Sequence, residues 1–286
     1  MICTLPGVRK RLFGLIVFVV LAALVAGGAY WLSRPAKVSA EKPKAAPAVG
    51  SCWNVDPGAA GSAFPWPGGP VDCGRAHTAE VFHVGQVDRE LAAKAENSTG
   101  DDAKVSQSLM YAQARSACIE LASVYLGAGW RTGRVKVLAD WVKPPKTGHF
   151  GCALAEVADP TGAKFVSRTG SLRGALRSDQ LTIGCVASLS YVPCDQPHDG
   201  EFTGTYAITP LDAPYDAAKV KQAAETGCAE VTGRYVTAPR TDLRTAYVGP
   251  TSGADWLGSD QTFACYAMSA GLKGSVKGLG TGPLPR

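Results

Sequence analysis

The sequence predicts an α+β protein, with an N-terminal transmembrane helix followed by two tandem, small, disulfide-bonded domains, each with one main helix against a short antiparallel sheet. Three observations predict this. Residues 12–32 carry no charge and follow directly on Arg9, Lys10 and Arg11. Eight of the nine cysteines lie beyond that segment in two sets of four, Cys52, Cys73, Cys118, Cys152 and Cys185, Cys194, Cys228, Cys265. Other residues recur around the two sets in one order.

The uncharged segment is 21 residues long, which as a helix spans about 31 Å, the thickness of a bilayer's hydrocarbon core. By the positive-inside rule the basic cluster leaves residues 1–11 as a cytoplasmic head and sends the rest of the chain outward, so the expected location is the cell membrane, with the lipid bilayer contacted through residues 12–32. Tyr30 and Trp31 fall at the outer interface. A cleavable signal peptide ending at Val38-Ser39-Ala40 is the competing reading, but the apolar run exceeds the usual ~7 to 15 residues of such peptides. Cys3 precedes the apolar segment, which excludes a lipoprotein attachment site and leaves it a reduced bystander. Residues 33–49, rich in Pro, Ala and Lys and without apolar periodicity, form an extended linker.

The formal net charge is +5, but it is concentrated near the membrane. The head holds three of the 29 basic residues and the linker four, against one of the 24 acidic ones, which leaves 22 basic and 23 acidic over residues 50–286. Nothing there recommends nucleic acid as a partner. With 33 Gly, 19 Pro and 8% aromatic residues, each half has a modest core, and bridges at about 2 to 4 kcal/mol each supply part of the stability.

The halves align with no external reference. Val71, Cys73, His77 and Glu80 have the spacing of Val192, Cys194, His198 and Glu201. Cys118-Ile119-Glu120 followed by Tyr125 answers Cys228-Ala229-Glu230 followed by Tyr235. Asp140-Trp141 leads to Phe150-Gly151-Cys152 as Asp255-Trp256 leads to Phe263-Ala264-Cys265, and Gly170-Ser171-Leu172-Arg173-Gly174 matches Gly274-Ser275-Val276-Lys277-Gly278. The first copy is placed at residues 50–176 and the second at residues 183–280.

Periodicity places the cysteines. Phe202, Gly204, Tyr206 and Ile208 alternate with Glu201, Thr203, Thr205 and Ala207, a half-buried strand with its counterpart at residues 80–87. Asp212 before Pro214 marks a helix start, and Ala224, Cys228 and Val231 form an apolar face that Ala114, Cys118 and Leu121 repeat. The fourth cysteines lie in buried closing strands at residues 149–157 and 262–268. Four cysteines allow three connectivities; a helix-to-strand bridge between third and fourth is geometrically natural and leaves first with second.

With these residues in hand, the chain resembles the septum formation domain family of actinobacterial cell-envelope proteins. The resemblance rests on Gly184-Cys185, Cys194, Pro197-His198, Glu201, Cys228, Trp256, Cys265 and Gly274 to Gly278, and in the first copy on Gly50, Cys52, Cys73, His77, Glu80, Cys118, Trp141, Cys152 and Gly170 to Gly174. The first copy departs at Ala76, where the family has proline, and in residues 57–70, which widen the spacing of its first two cysteines from 9 positions to 21. What the resemblance implies is a role in cell-envelope assembly or septum formation.

Several residues carry candidate chemistry. Cys-x3-His-x2-Glu suggests zinc or a nucleophile and base, but an oxidised exterior with a full set of cysteine partners favours disulfides, and a half-cystine is no nucleophile. His77/Glu80 and His198/Glu201 remain candidate binding pairs, with hydrogen bonds to the turn backbone or to that glutamate as the plainer alternative. His83, which takes the place of Gly204, reads as a packing residue. Trp66, in a stiff Gly/Pro-rich loop, is the candidate exposed aromatic for a glycan or protein partner, with folding back over the first bridge as its alternative. No Gly-x-Ser-x-Gly, His-Glu-x-x-His or phosphate loop is present, so the expectation is a non-catalytic protein with no metal and no cofactor. Its expected partner is an envelope or division protein, with peptidoglycan as a further candidate; an envelope sensor using the His/Glu turn and a metal-dependent envelope enzyme are the alternatives.

Overall fold

The computed structural model describes residues 46–286 except 60–62, 143–147, 179, 210–213, 251 and 258–260. The expected span at residues 12–32 lies outside these, as does most of the linker; among the described residues no helix is long and apolar enough to cross a membrane.

The first half runs β1 (Cys52–Trp53), β2 (Pro70–Val71), β3 (Ala79–Gln86), α1 (Arg89–Asn97), α2 (Gly100–Leu126), β4 (Val135–Trp141) and β5 (His149–Glu156). The second runs β6 (Cys185–Ala187), β7 (Ser190–Val192), β8 (His198–Ala207), α3 (Ala217–Val236), β9 (Arg244–Val248), α4 (Gly253–Leu257) and β10 (Thr262–Leu272). Each half builds one antiparallel five-stranded sheet, in the orders β2-β1-β3-β5-β4 and β7-β6-β8-β10-β9. The two orders are the same once the strands are renumbered. Each half has one main helix, α2 or α3, and a shorter one; in the first half Asp88 caps the shorter α1 by accepting from the Leu91 N–H, and α2 begins at Gly100.

Local chemistry sets the helix ends. Asp216, not Asp212, caps α3, its carboxylate accepting from the N–H groups of Ala218 and Lys219; Asp212 itself lies outside the described residues. Helix α2 ends on Gly127 at φ 85°, the left-handed conformation that glycine adopts without penalty. The third cysteines, Cys118 on α2 and Cys228 on α3, are fully buried and bridge to Cys152 on β5 and Cys265 on β10. Cys52 bridges to Cys73 and Cys185 to Cys194, so each half pairs first with second and third with fourth. The helix-to-strand bridges close loops of 34 and 37 positions and the others loops of 21 and 9. On chain entropy alone, about 4 kcal/mol is the scale for the longer pair and about 2.5 kcal/mol for the shortest.

The central strand does not alternate strictly as its sequence suggests. Val81 pairs with Ala153 and His83 with Cys152, leaving Phe82 as an extra residue; Phe202 pairs with Tyr266 and Gly204 with Cys265, leaving Thr203 as the extra one. Each bulge switches the phase of the strand. As a result Glu80, Phe82 and His83 share the helix-covered face in the first half, and Glu201, Thr203 and Gly204 share it in the second. Phe82 packs on Tyr125 at 5.5 Å between ring centroids, whereas Thr203 donates to the Cys265 carbonyl and meets the Thr232 hydroxyl at 3.1 Å.

The first sheet has apolar cover on both faces. Phe82, Met110, Ile119, Leu126, Phe150 and Leu154 fill the helix side, and Trp53, Phe64, Trp66, Val81 and Leu138 fill the other. Residues 57–70, the stretch that widens the first cysteine spacing, supply Phe64 and Trp66 to the second layer. Trp66 is therefore buried, not exposed, at 2% accessibility, with its ring 4.1 Å from Phe64 and its Nε1 donating to Asp140 at 2.9 Å. An indole and a buried carboxylate satisfy each other there, which a solvent-facing loop tip would not require.

The Asp-Trp stations do not coincide in space. Asp140 and Trp141 lie on β4, where Trp141 pairs with Phe150, but Asp255 and Trp256 lie on the short helix α4. In the second sheet Val248 pairs with Ala264, which brings Gly249 up to the Phe263 ring. Trp256 instead reaches the helix-side core from outside the sheet and is 1% exposed among Val220, Ala224 and Phe263.

The halves pack together. The Ile183 N–H donates to the Thr132 carbonyl and the Tyr191 N–H to the Ala158 carbonyl, and the Tyr191 ring joins both the outer apolar layer of the first sheet and that of the second. One packing prediction follows from Gly249, where an added Cβ would stand 2.2 Å from the buried Phe263 ring. Gly249→Ala is expected to destabilise the protein by about 1 to 3 kcal/mol in urea denaturation.

Candidate functional site

The residues that recur in both halves converge on one arrangement. Glu80 leaves β3 on the helix side and is 2% exposed; its carboxylate accepts from the Tyr125 hydroxyl, the Ser171 hydroxyl and the Leu172 N–H, each at 2.6 Å. Glu201 leaves β8 in the same way and is 3% exposed, accepting from the Tyr235 hydroxyl at 2.6 Å, the Ser275 hydroxyl at 2.5 Å and the Val276 N–H at 2.6 Å. A buried carboxylate is costly unless its lone pairs are filled, and three short charge-assisted bonds fill them here.

Four of the five positions of the closing Gly-Ser-Leu/Val-basic-Gly motif have a task in this latch. The serine bonds the glutamate and also accepts from the N–H of the residue two positions on, at 3.0 Å for Arg173 and 3.1 Å for Lys277. Leu172 and Val276 are fully buried plugs. The basic residue lies over the tyrosine ring, at 4.8 Å for Arg173 on Tyr125 and 6.0 Å for Lys277 on Tyr235. The last glycines, Gly174 and Gly278, have φ of 70° and 66° and donate to the Tyr125 and Tyr235 carbonyls. The loop is thus clamped to the last turn of the helix and to the central strand at once.

The histidines sit beside this latch without joining it. His77 is fully buried, and its Nδ1 lies 2.9 Å from the Arg75 carbonyl; His198 is 3% exposed, with Nδ1 2.7 Å from the Gln196 carbonyl. Each imidazole donates to the turn two residues back, and each Nε2 is buried with no hydrogen-bond partner among the described residues. The backbone alternative is therefore the one the geometry realises, and the glutamates bond elsewhere. Cys52, Cys73 and Glu80 bring ligand-type atoms within 4.8 Å of one another, as do Cys185, Cys194 and Glu201. Both sulfur pairs are bridged and both carboxylates hold three donors, so the folded arrangement is a disulfide packed on a saturated carboxylate rather than a set of open metal ligands.

His83 lies opposite Cys152, the register that Gly204 holds opposite Cys265, with its ring 6.2 Å from Phe150; burial lowers its pKa. His149 has neither ring nitrogen bonded among the described residues, and burial with the nearby Arg89 charge lowers its pKa. The binding partners of the latch glutamates, Tyr125, Ser171, Tyr235 and Ser275, escaped the candidate residues drawn from sequence. They were visible only as matched stations, since hydroxyl spacing across about 45 and 91 positions leaves no local pattern.

A disulfide-rich α+β protein whose recurring polar residues stitch its own chain together is what fold and site define. Residues 49–265 match the model of the family described as septum formation, and the chain belongs to that family. The match is one span that crosses both halves, and membership supports a role in cell division or the cell envelope. Comparison with curated proteins gives no match, and neither does comparison with solved structures.

Two predictions test the latch. Glu201→Ala removes the shared acceptor of a hydroxyl pair and a buried N–H, and is expected to cost about 2 to 4 kcal/mol in chemical denaturation, with Glu80→Ala similar. The second concerns pH. Burial raises the pKa of Tyr125 and of Tyr235, and the hydrogen bond and charge of the neighbouring glutamate raise both further. Folding therefore favours the protonated phenols. Their contribution is fully present below the unfolded value, about pH 10, and is lost as pH rises through the higher folded values. Tyr125→Phe and Tyr235→Phe, compared with the parent protein in stability measured from pH 8 to 11, are expected to flatten that alkaline decline.

Proposed function

We propose that the protein is anchored in the cell membrane by residues 12–32, with its two-half body outside, and that it acts without catalysis in septum formation or envelope assembly by binding an envelope or division protein. The halves are, in this reading, two copies of one module: both sheets have the same strand order, both pair cysteines first with second and third with fourth, and both close on the same glutamate latch.

The observation that carries the non-catalytic part is the fate of the recurring polar groups. Glu80, His77, Ser171 and Tyr125, with Glu201, His198, Ser275 and Tyr235, are committed to internal bonds, and the recurring cysteines are bridged. What the two halves share is scaffold, which suits display of a binding surface. Family membership supports the cellular process, and the basic cluster before the uncharged segment supports the orientation.

A fluorescent fusion attached after Arg286, of a type that matures outside the membrane, tests the reading in dividing cells of the source organism. Enrichment at the septum is the expected result. An even distribution around the envelope would argue against recruitment to division, and turnover of an envelope substrate by the purified protein would overturn the non-catalytic assignment.

A further inference from the structure

Beside the latch of the first half lies a groove of about 460 Å³ between β3, the C-terminal end of α2 and the closing loop. Phe82 and Leu121 are apolar lining, and Val124, 73% exposed, is an apolar side chain open to solvent. The His83 imidazole and two guanidinium groups, those of Arg173 and Arg177, line the rest.

The Arg173 guanidinium is held in place, and neither it nor that of Arg177 is neutralised. Arg173 rests on the Tyr125 ring, and the stem of Arg177 lies over Gly127, where a Cβ would come within 2.6 Å of its Cγ. Among the described residues neither forms an ion pair with a carboxylate, whereas Arg134, Arg168 and Arg240 each do. The nearest recurring carboxylate, Glu80, already holds three donors behind Tyr125. A guanidinium presents a planar fork of donors that fits a carboxylate or a phosphate, and pre-ordering reduces the entropy lost when one binds.

The fold requires one basic residue over the tyrosine ring, but not the other two side chains. The second half closes the same latch with Gly204 at the register of His83, Lys277 in place of Arg173, and Gly278-Leu279-Gly280-Thr281 where the first half has Gly174-Ala175-Leu176-Arg177. His83 and Arg177 are thus additions to the scaffold, gathered beside Arg173 where an apolar wall is open. We propose that this groove binds a small amphiphilic anion: a carboxylate or phosphate monoester seated on Arg173 and Arg177, with a short apolar portion against Leu121 and Val124. This site stands independently of where the protein resides in the cell.

Titration of the full-length protein with hexyl phosphate, hexanoate and inorganic phosphate, followed by calorimetry and by the ring signals of His83, tests the site. Saturable binding of hexyl phosphate or hexanoate that shifts the His83 signals is expected, the tighter of the two identifying the head group. The double variant R173Q/R177Q should weaken that binding by roughly tenfold or more, while Lys277→Gln in the second half should leave it unchanged. Both altered arginines are exposed, and a cooperative urea transition will show that the variant folds. Absence of saturable binding by either amphiphile, or equal binding by the double variant, would overturn the site. Inorganic phosphate binding as tightly as hexyl phosphate would overturn the amphiphilic assignment.

Discussion

A buried carboxylate with three donors sits at the centre of each half. Glu80 and Glu201 are taken out of water on the central strand, where an unpaired charge would be prohibitive. Satisfying them draws the end of a helix, through Tyr125 or Tyr235, and the closing loop, through serine and one backbone N–H, to the same point. The bulge after the glutamate adds one residue to the helix-covered face, so that His83 or Gly204, rather than Phe82 or Thr203, stands opposite the fourth cysteine. The disulfide and the latch therefore fasten the same helix at two heights, one to the sheet's middle and one to its end.

On this shared frame the halves diverge where the chain is free to do so. The first half spends its long segment between Cys52 and Cys73 on an aromatic layer, Phe64 and Trp66, over the sheet's outer face. The second has only nine positions between Cys185 and Cys194, too few to reach across its sheet. Its outer layer is completed by Tyr191, Phe202, Tyr266 and Met268 instead.

Much of the frame was legible in the sequence because it is written in cysteines and in period. Cys118 and Cys228 follow helical spacing, Cys152 and Cys265 lie in apolar runs, and these fix the third-to-fourth bridges. Glu80 and Glu201 stood out by spacing from the second cysteine, but their roles did not, since the donors come from distant segments and one of them is backbone. Strict alternation failed at Phe82 and Thr203 because a bulge leaves no signature in residue type. Asp212 looked like a cap on the strength of Pro214, yet Asp216 is the residue whose carboxylate reaches the first free N–H groups. Trp66 was misplaced because a Pro- and Gly-rich stretch reads as a solvent loop, and nothing local announces the Asp140 carboxylate that receives its indole.

Tyr191 belongs to two apolar layers at once. A cut through the connection between the halves would strip a wall from each, leaving aromatic surface open to water on both fragments. The halves share a strand order and a cysteine pairing, and they also share this side chain. One phenol ring thus serves as a shared wall, and a substitution at that single position reaches the outer layers of both sheets.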